Sequence, residues 1–263
     1  MSDVTIVCCY NDEKMYQDFV STVKAQSVPC EIIGIDNRGN RAFTSCASAY
    51  NSVIDRVRTK FVVYSHQDIL LEEPESMGKF VSYLGKTGHD DILGVAGSRF
   101  DSPSGFSNIA HRNSQTGEIV HGPSSFPECG MIECDTVDEC FFGGHTEHFR
   151  ENPFDEKVCD NWHLYAAESC LNTKTSRGGK VYVCDVYLFH RSSGRISPEF
   201  QWGFYKLCRK YASHYPFIKT TCGAQWTDFA HLFPRFVYLW LHSMAGVIFR
   251  KIGIYEAMKK IFR

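Results

Sequence analysis

Two residues in the segment FVVYSHQDIL have types and spacing that suit metal binding. Asp68 and His66 offer a carboxylate and an imidazole directly after a run of apolar residues. Mg²⁺ and Mn²⁺ prefer carboxylate oxygens in proteins, and Mn²⁺ tolerates an imidazole better than Mg²⁺ does. The segment therefore predicts Asp68 as a ligand for Mn²⁺ or Mg²⁺, with a turn cap as its alternative, and His66 as a second candidate ligand.

A second segment, CDNWHLYAAE, suits proton transfer. Asp160 and His163 are three residues apart, so they would share one face of a helix that we expect from about Asp160 to Thr173. An imidazole titrates near neutral pH and is a common general base. His163 and Asp160 are thus candidate bases, followed by Glu168. The alternatives are a helix cap for Asp160 and a salt-bridged helix residue for Glu168.

Alternating strands and helices must position these residues. Val4 to Cys9 is an almost continuously apolar run, which is typical of a buried parallel strand, and Met15, Phe19 and Val23 then recur at helical spacing. The pattern predicts strands over 4–9, 31–35, 61–64 and 92–96 with helices between them, one of them capped by Thr44. Such alternation favours an open α/β sheet, in which ligands bind at the carboxyl ends of the strands.

Polar clusters follow each of these predicted strands. They are Tyr10-Asn11-Asp12, Asp36-Asn37, His66-Gln67-Asp68 and Ser98-Arg99. Because the ends of parallel strands meet at one edge of a sheet, we expect the clusters to lie together.

The remaining chain divides at composition changes. Residues 1–100 form a first half, and 101–195 form a second half of the same domain, with a long loop or small hairpin over 98–127, strands over 131–137 and 180–188, and a helix over 160–173. Residues 196–263 form a helical, basic-apolar extension. Pro234, Arg235 and His242 interrupt its apolar run and disfavour a membrane-spanning helix. An interfacial helix on an anionic membrane and a helix packed on its own domain both remain open.

Composition narrows the class of protein. A chain of 263 residues with 43% hydrophobic content can bury a full core, and a net charge of -2 disfavours nucleic acid as a partner. The twelve cysteines include no CxxC pair, so they predict buried thiols in a reducing cytosol and no structural zinc.

The ordered motifs between about Thr5 and Gly194 resemble a known family. They are VCCYND, IDN, ASAYNSVIDRVRTKFVVYSHQDI, VDECFF, FDEKVCDNWHLYAAESCL and VYLFHRSSG. The chain resembles the bacterial glycosyltransferase family 2-like proteins of capsule and surface-polysaccharide clusters, in a branch with HQD in place of DxD. The resemblance implies a GT-A fold, with a Rossmann-like, mostly parallel sheet and flanking helices. It also implies metal-dependent, inverting sugar transfer from a nucleoside diphosphate sugar, of the UDP or dTDP type, to a glycan or lipid-linked acceptor at the cytoplasmic membrane face.

The resemblance also implies roles for individual residues. His190 would complete the metal site with Asp68, or lie structurally at its strand end. Tyr10, Asn11, Asp36, Asn37, His66 and Gln67 would contact the nucleotide or sugar, and Arg99 and Arg191 the phosphates. Asp138, Trp162 and Tyr165 would bind the acceptor, with an Asx turn at Asp36 and core packing of the two aromatic residues as alternatives.

Two other functions compete with this interpretation. A nucleotidyltransferase on a similar sheet would need a glycine-rich phosphate loop near the N-terminus, and VCCYND contains no glycine. A catalytically degenerate nucleotide- or glycan-binding module would account for HQD in place of DxD and for WHLY where relatives carry a Glu-Asp pair.

Overall fold

A seven-stranded sheet forms the centre of the protein in the computed structural model, which describes residues 2–112, 117–122, 125–191 and 196–251. The first half contains β1 Val4–Tyr10, α1 Glu13–Lys24, β2 Glu31–Asp36, α2 Cys46–Asn51, β3 Phe61–Ser65, β4 Ile69–Leu70, α3 Ser76–Leu84, β5 Ile92–Gly94 and β6 Ala96–Ser98. The remainder contains β7 Gly105–Ser107, β8 Ile109–Arg112, β9 Ile119–His121, β10 Met131–Cys134, β11 Thr136–Val137, β12 Phe141–His145, α4 Thr146–Glu151, α5 Tyr165–Asn172, β13 Val181–Cys184, β14 Leu188–His190, α6 Pro198–Tyr211, β15 Phe217–Thr220, β16 Gly223–Trp226 and α7 Phe229–Lys251.

The central sheet has the strand order β10-β13-β5-β12-β3-β1-β2. β1 pairs in parallel with β2 and β3, as predicted for the first half. β12 lies antiparallel to both β3 and β5, so the sheet is mixed rather than mostly parallel. The predicted fold class is confirmed. Because β12 belongs to the second half and sits between strands of the first, the two halves form one sheet.

β12 was not predicted because its sequence FFGGH carries two glycines, which weaken a strand pattern. The structure explains them. A Cβ on Gly143 would collide with the backbone carbonyl of Val62, and one on Gly144 would lie 2.7 Å from the carbonyl oxygen of Asp91. The backbones approach too closely here for a side chain.

Side-chain caps set the starts of the first helices. Asp12 accepts a hydrogen bond from the backbone N–H of Met15 at 2.9 Å and begins α1, whose buried residues include Phe19 and Val23. Ser45, rather than the predicted Thr44, caps α2. That helix ends at Asn51, and a separate 3₁₀ turn over Ile54–Arg56 follows before β3.

The second half departs further from the prediction. The expected helix from Asp160 begins at Tyr165, and residues 160–164 are not helical. The strands predicted over 92–96, 131–137 and 180–188 each break in two, because the chain leaves the central sheet to form two smaller sheets. Within the predicted loop over 98–127, β8 and β9 form the small antiparallel hairpin that was the alternative there.

The C-terminal extension is helical, as predicted, and it also contains an unpredicted hairpin of β15 and β16 between α6 and α7. α7 packs on α6 through contacts such as Phe236 with Tyr205, at 4.8 Å between ring centroids. Leu232 is nevertheless the one buried residue of α7. By length and composition α7 is long and apolar enough to cross a membrane, and 6% of its most apolar window is buried. The last basic residues of the predicted basic-apolar extension, Lys259, Lys260 and Arg263, lie outside the described residues.

Candidate functional site

His66, Asp68 and His190 come together at the carboxyl edge of the sheet. β3 ends just before His66, and β14 pairs with β4 so that His190 lies opposite Ile69, the residue after Asp68. One potential ligand atom from each member of the trio lies within 4.8 Å of the others. His190 Nε2 and Asp68 Oδ1 are 3.3 Å apart. The residues predicted from distant motifs therefore form one cluster.

The charge states of the trio suit a divalent cation. Burial lowers the pKa of His66, which favours the neutral, ligating imidazole. Burial also acts to lower the pKa of His190, but the hydrogen bond and charge of Asp68 outweigh it and raise that pKa. His190 and Asp68 thus share a hydrogen bond through the proton on the imidazole. A cation bound by both residues would replace that proton. Two imidazoles and one carboxylate fit Mn²⁺ better than Mg²⁺.

Tyr165 contacts one member of the trio, His66, through its hydroxyl group. Its hydroxyl lies 3.2 Å from His66 Nε2 and donates to the backbone oxygen of Glu139 at 3.3 Å. A partner of this kind fixes the orientation of a ligating imidazole. The side chain is fully buried, so the prediction that its ring forms a sugar-stacking platform is not supported by its position.

Gln67 ties the ends of two strands together. Its Oε1 accepts the backbone N–H groups of Asn11 at 3.0 Å and Asp12 at 2.9 Å, while its Nε2 donates to Asn11 Oδ1 at 2.7 Å. Gln67 and Asn11 were predicted to contact the nucleotide. In the structure these polar atoms join β3 to the start of α1, which holds the strand ends in register.

Tyr10 and Asp36 lie opposite each other in the parallel pairing of β1 and β2, so these two polar clusters lie together as predicted. Tyr10 stacks on Tyr16 with the ring centroids 4.0 Å apart and the planes at 4°. Asp36 accepts hydrogen bonds from the guanidinium of Arg38, which lowers the pKa of the carboxyl. The pair is at the edge of the site, and its nucleotide contact stays a prediction.

Asn37 has a different role from the one predicted. It is 1% exposed, its Oδ1 accepts the backbone N–H groups of Ala42 and Phe43, and its Nδ2 donates to the oxygen of Phe43. These bonds shape the loop after β2. The position argues against a nucleotide contact for this side chain.

The two predicted phosphate-binding arginines lie in different surroundings. The backbone N–H of Arg191 donates to the oxygen of Asp68 at 3.0 Å, so the main chain of this residue lies beside the trio, and its guanidinium pairs with Asp18 at 2.8 Å. Arg99 follows β6 in the three-stranded sheet and pairs with Asp101. Arg191 is the better placed of the two for a diphosphate.

Asp138 contributes a carboxylate near the two histidines of the trio. It accepts hydrogen bonds from the backbone N–H of Cys140 at 3.0 Å and from the hydroxyl of Thr221. Burial acts to raise its pKa, but these bonds and the nearby imidazoles of His190 and His66 outweigh that effect and lower the pKa. Asp138 is therefore ionised beside the trio.

His163 lies near His66, whereas Asp160 lies in different surroundings. The His163 ring packs against Phe200 at 5.5 Å between centroids, and its charge would act on His66. Burial lowers the pKa of His163. Asp160 is half exposed and pairs with Lys206 at 2.7 Å. Because residues 160–164 are not helical, the predicted shared helix face and the helix-cap alternative for Asp160 are both wrong.

The remaining predicted residues lie in packed surroundings. Trp162 is half-buried against the core. Glu168 is buried and accepts hydrogen bonds from Lys210 and Tyr211 of α6, which indicates a structural carboxylate. Sequence reasoning missed Glu139 and Thr221. Glu139 is the second acid of VDECFF and could have been found beside Asp138, but no local pattern connects Thr221 to this site.

The mixed sheet with these functional side chains at its strand ends defines a GT-A-type protein. The chain belongs to the glycosyltransferase-like family, whose model matches residues 5–187. No curated protein matches the chain.

Several solved structures share the fold. They include GalNAc-T7 with UDP, GalNAc and Mn²⁺, at a TM-score of 0.57 and 12% identity over 80% of this chain and 51% of that one. Residues 1–349 of S. aureus TarS with UDP-GlcNAc match at a TM-score of 0.51 and 13% identity, over 81% of this chain and 66% of that one. The mannosyltransferase PcManGT of Pyrobaculum calidifontis with GDP-Man and Mn²⁺ matches at a TM-score of 0.51 and 11% identity, over 81% of this chain and 62% of that one. The chain thus spans about half to two thirds of the length of these proteins.

Proposed function

We propose that the protein transfers a sugar from a nucleoside diphosphate sugar, of the UDP or dTDP type, to a hydroxyl of a glycan or lipid-linked acceptor. The observation that carries this proposal is the trio of His66, Asp68 and His190 at the carboxyl edge of the sheet. A divalent cation held by the trio would neutralise the charge of a diphosphate leaving group. The UDP, UDP-GlcNAc and GDP-Man of the structural neighbours support a nucleoside diphosphate donor.

Direct displacement with inversion requires a base that accepts the proton of the acceptor hydroxyl. His163 is our first candidate, because its lowered pKa keeps the imidazole neutral at neutral pH. Asp138 is the second, because it is ionised and stands near the same imidazoles. The acceptor would enter between His163 and the β15–β16 hairpin, whose tip reaches Asp138 through Thr221.

A thermal-shift titration tests the donor site. UDP, dTDP and GDP are titrated with Mn²⁺, with Mg²⁺ and with EDTA. A ligand that binds only the folded state stabilises it by mass action, with about 2.7 kcal/mol expected at one hundred times its Kd. We expect stabilisation by at least one diphosphate with Mn²⁺, and its loss in Asp68→Asn.

Asp228→Asn is the matched control, since Asp228 is a half-exposed carboxylate that pairs with His231 at the start of α7. It should respond as the wild type does. Turnover is then followed as metal-dependent donor hydrolysis or transfer. If no diphosphate stabilises the wild type, the proposal fails, and if binding occurs without turnover on a broad donor panel, a binding module replaces the enzyme.

We also propose that α7 holds the protein at an anionic, cytoplasmic membrane surface. Tyr238, Leu241 and Ile248 are exposed on this helix. The charged residues of Phe229–Lys251 are all basic, namely Arg235, Arg250 and Lys251, as expected for a helix at an anionic membrane surface. Flotation with vesicles of anionic or of neutral lipid tests this. Binding to the anionic vesicles should weaken in Leu241→Glu and at high salt; no difference between the two vesicle types would contradict the proposal.

A further inference from the structure

Leu164 has an unusual backbone conformation at the edge of the site. Its φ of 69° and ψ of 4° lie in the left-handed region, and among the described residues Asn40 is the one other non-glycine residue with a positive φ. Its side chain is 3% exposed and packs with residues of α6. A leucine stays in this region only where its surroundings hold it there.

Glu139 supplies the bond that holds Leu164. The Glu139 carboxylate accepts the backbone N–H of Leu164, and its backbone oxygen accepts the hydroxyl of Tyr165. α5 begins at Tyr165 with no side-chain cap from Leu164 itself, so Glu139 contacts both residues at the start of this helix. Burial, followed by the charge of Asp138, raises the pKa of Glu139 well above its usual value. A protonated carboxyl still accepts this bond through its carbonyl oxygen.

The residue directly before Leu164 is His163. A change of Leu164 from the left-handed to the ordinary helical region would redirect the peptide that carries His163, because φ and ψ set the course of the chain. His163 has a second restraint, since its backbone N–H donates to Asn161 Oδ1 at 2.9 Å. That bond lies within the same loop. Glu139, in contrast, lies in the turn before β12 and connects the loop to the central sheet.

We propose that Glu139 is a positioning residue, which holds Leu164 in its left-handed conformation and so orients His163 toward the trio. This inference rests on the proposed function, in which His163 accepts the proton of the acceptor. It assigns no contact with substrate to Glu139.

The first test compares Glu139→Ala with Glu139→Gln. We expect kcat to fall about 10- to 100-fold in Glu139→Ala, the scale of a misplaced catalytic group. The KM of the donor should change less than about twofold, because neither Glu139 nor Leu164 is assigned a contact with the donor. Glu139→Gln keeps an oxygen acceptor in the same place and should restore kcat to within about threefold. Glu133→Ala, which removes a half-exposed carboxylate of β10, is the control.

The second test is a double-mutant cycle with Leu164→Gly. Glycine adopts a φ of 69° without steric strain, so the loss of kcat caused by Glu139→Ala should shrink in the Leu164→Gly background. The cavity left by the leucine side chain is common to both members of that comparison. Equal losses in both backgrounds, or a glutamine variant as impaired as the alanine variant, would overturn the proposal.

A measurement that needs no turnover separates this inference from the proposed function. Hydrogen exchange of the Leu164 amide should be slow in the wild type and in Glu139→Gln, and at least about tenfold faster in Glu139→Ala. Unchanged exchange in Glu139→Ala overturns the positioning role even if the wild type transfers no sugar. Failure of every diphosphate to bind overturns the proposed function and leaves the exchange result to stand by itself.

Discussion

The substitution Glu168→Ala separates a structural carboxylate from a catalytic one. The Glu168 side chain is 3% exposed, and its Oε1 lies 2.6 Å from Lys210 Nζ and 2.8 Å from the hydroxyl of Tyr211. Both partners belong to α6, so the carboxylate fastens α5 to α6. We expect the alanine variant to lose stability and to keep its rate of turnover.

The size of the loss follows from what each partner retains. Lys210 is one third exposed and keeps Asp155 at 2.8 Å, so its charge is not left unpaired. Tyr211 is 3% exposed and keeps only a longer hydrogen bond, of 3.4 Å, to the backbone oxygen of residue 168, so loss of the carboxylate costs about 1–3 kcal/mol. A residual void adds about 1 kcal/mol. The total is about 2–4 kcal/mol, at or below the cost of about 3–5 kcal/mol for breaking a fully buried ion pair.

Urea and thermal denaturation measure this difference. A loss of 2–4 kcal/mol corresponds to a fall in Tm of roughly 4–16 °C for a chain of this size. Glu147→Ala is the control, because Glu147 is 60% exposed and pairs with Arg150 on the surface, where the effect should stay within about 0.5 kcal/mol. An unchanged Tm together with a kcat that falls a hundredfold would show that Glu168 acts in the reaction and would refute this reasoning.

Burial lowers the pKa of His163 below 6.5, so its neutral form is lost only as the pH falls through that lowered value; kcat should decline on the acid side with a midpoint below 6.5, and a pH–rate profile of His163→Gln should lack this limb. Tyr165→Phe removes the hydroxyl beside His66 and should weaken Mn²⁺ binding about tenfold in an electron paramagnetic resonance titration, whereas an unchanged Kd would exclude a supporting role. Asn37→Ala should destabilise the protein by about 1–3 kcal/mol in urea, and a loss of nucleotide affinity without a loss of stability would restore its predicted binding role.

The first half of the sheet could be predicted because its local signals agree. Apolar runs give β1, β2 and β3 to within one residue, and the helical spacing of Met15, Phe19 and Val23 places α1 between β1 and β2. β12 could not, since its two glycines are required by neighbours that are distant in sequence. The strands that break in two, over 92–96, 131–137 and 180–188, continue into two smaller sheets, whose pairings depend on residues distant in sequence and produce no periodicity in the sequence.

The candidate site was predictable to the extent that strand order placed it. Asp68 and His66 follow a predicted strand, and the resemblance suggested His190, which the register of β14 brings to Asp68. Burial decides which of the other predicted polar residues can contact a ligand. The polar atoms of Asn37 and Glu168 are used by the backbone or by α6, and composition alone does not distinguish such residues from those that meet a ligand.

The position of β12 has a consequence for how the chain folds during synthesis. β3 and β5 emerge from the ribosome well before β12, so their facing edges stay unpaired until residues 141–145 arrive between them. Exposed strand edges invite pairing with other chains. A fragment that stops near residue 100 should therefore aggregate rather than fold, because it lacks the strand that joins β3 to β5.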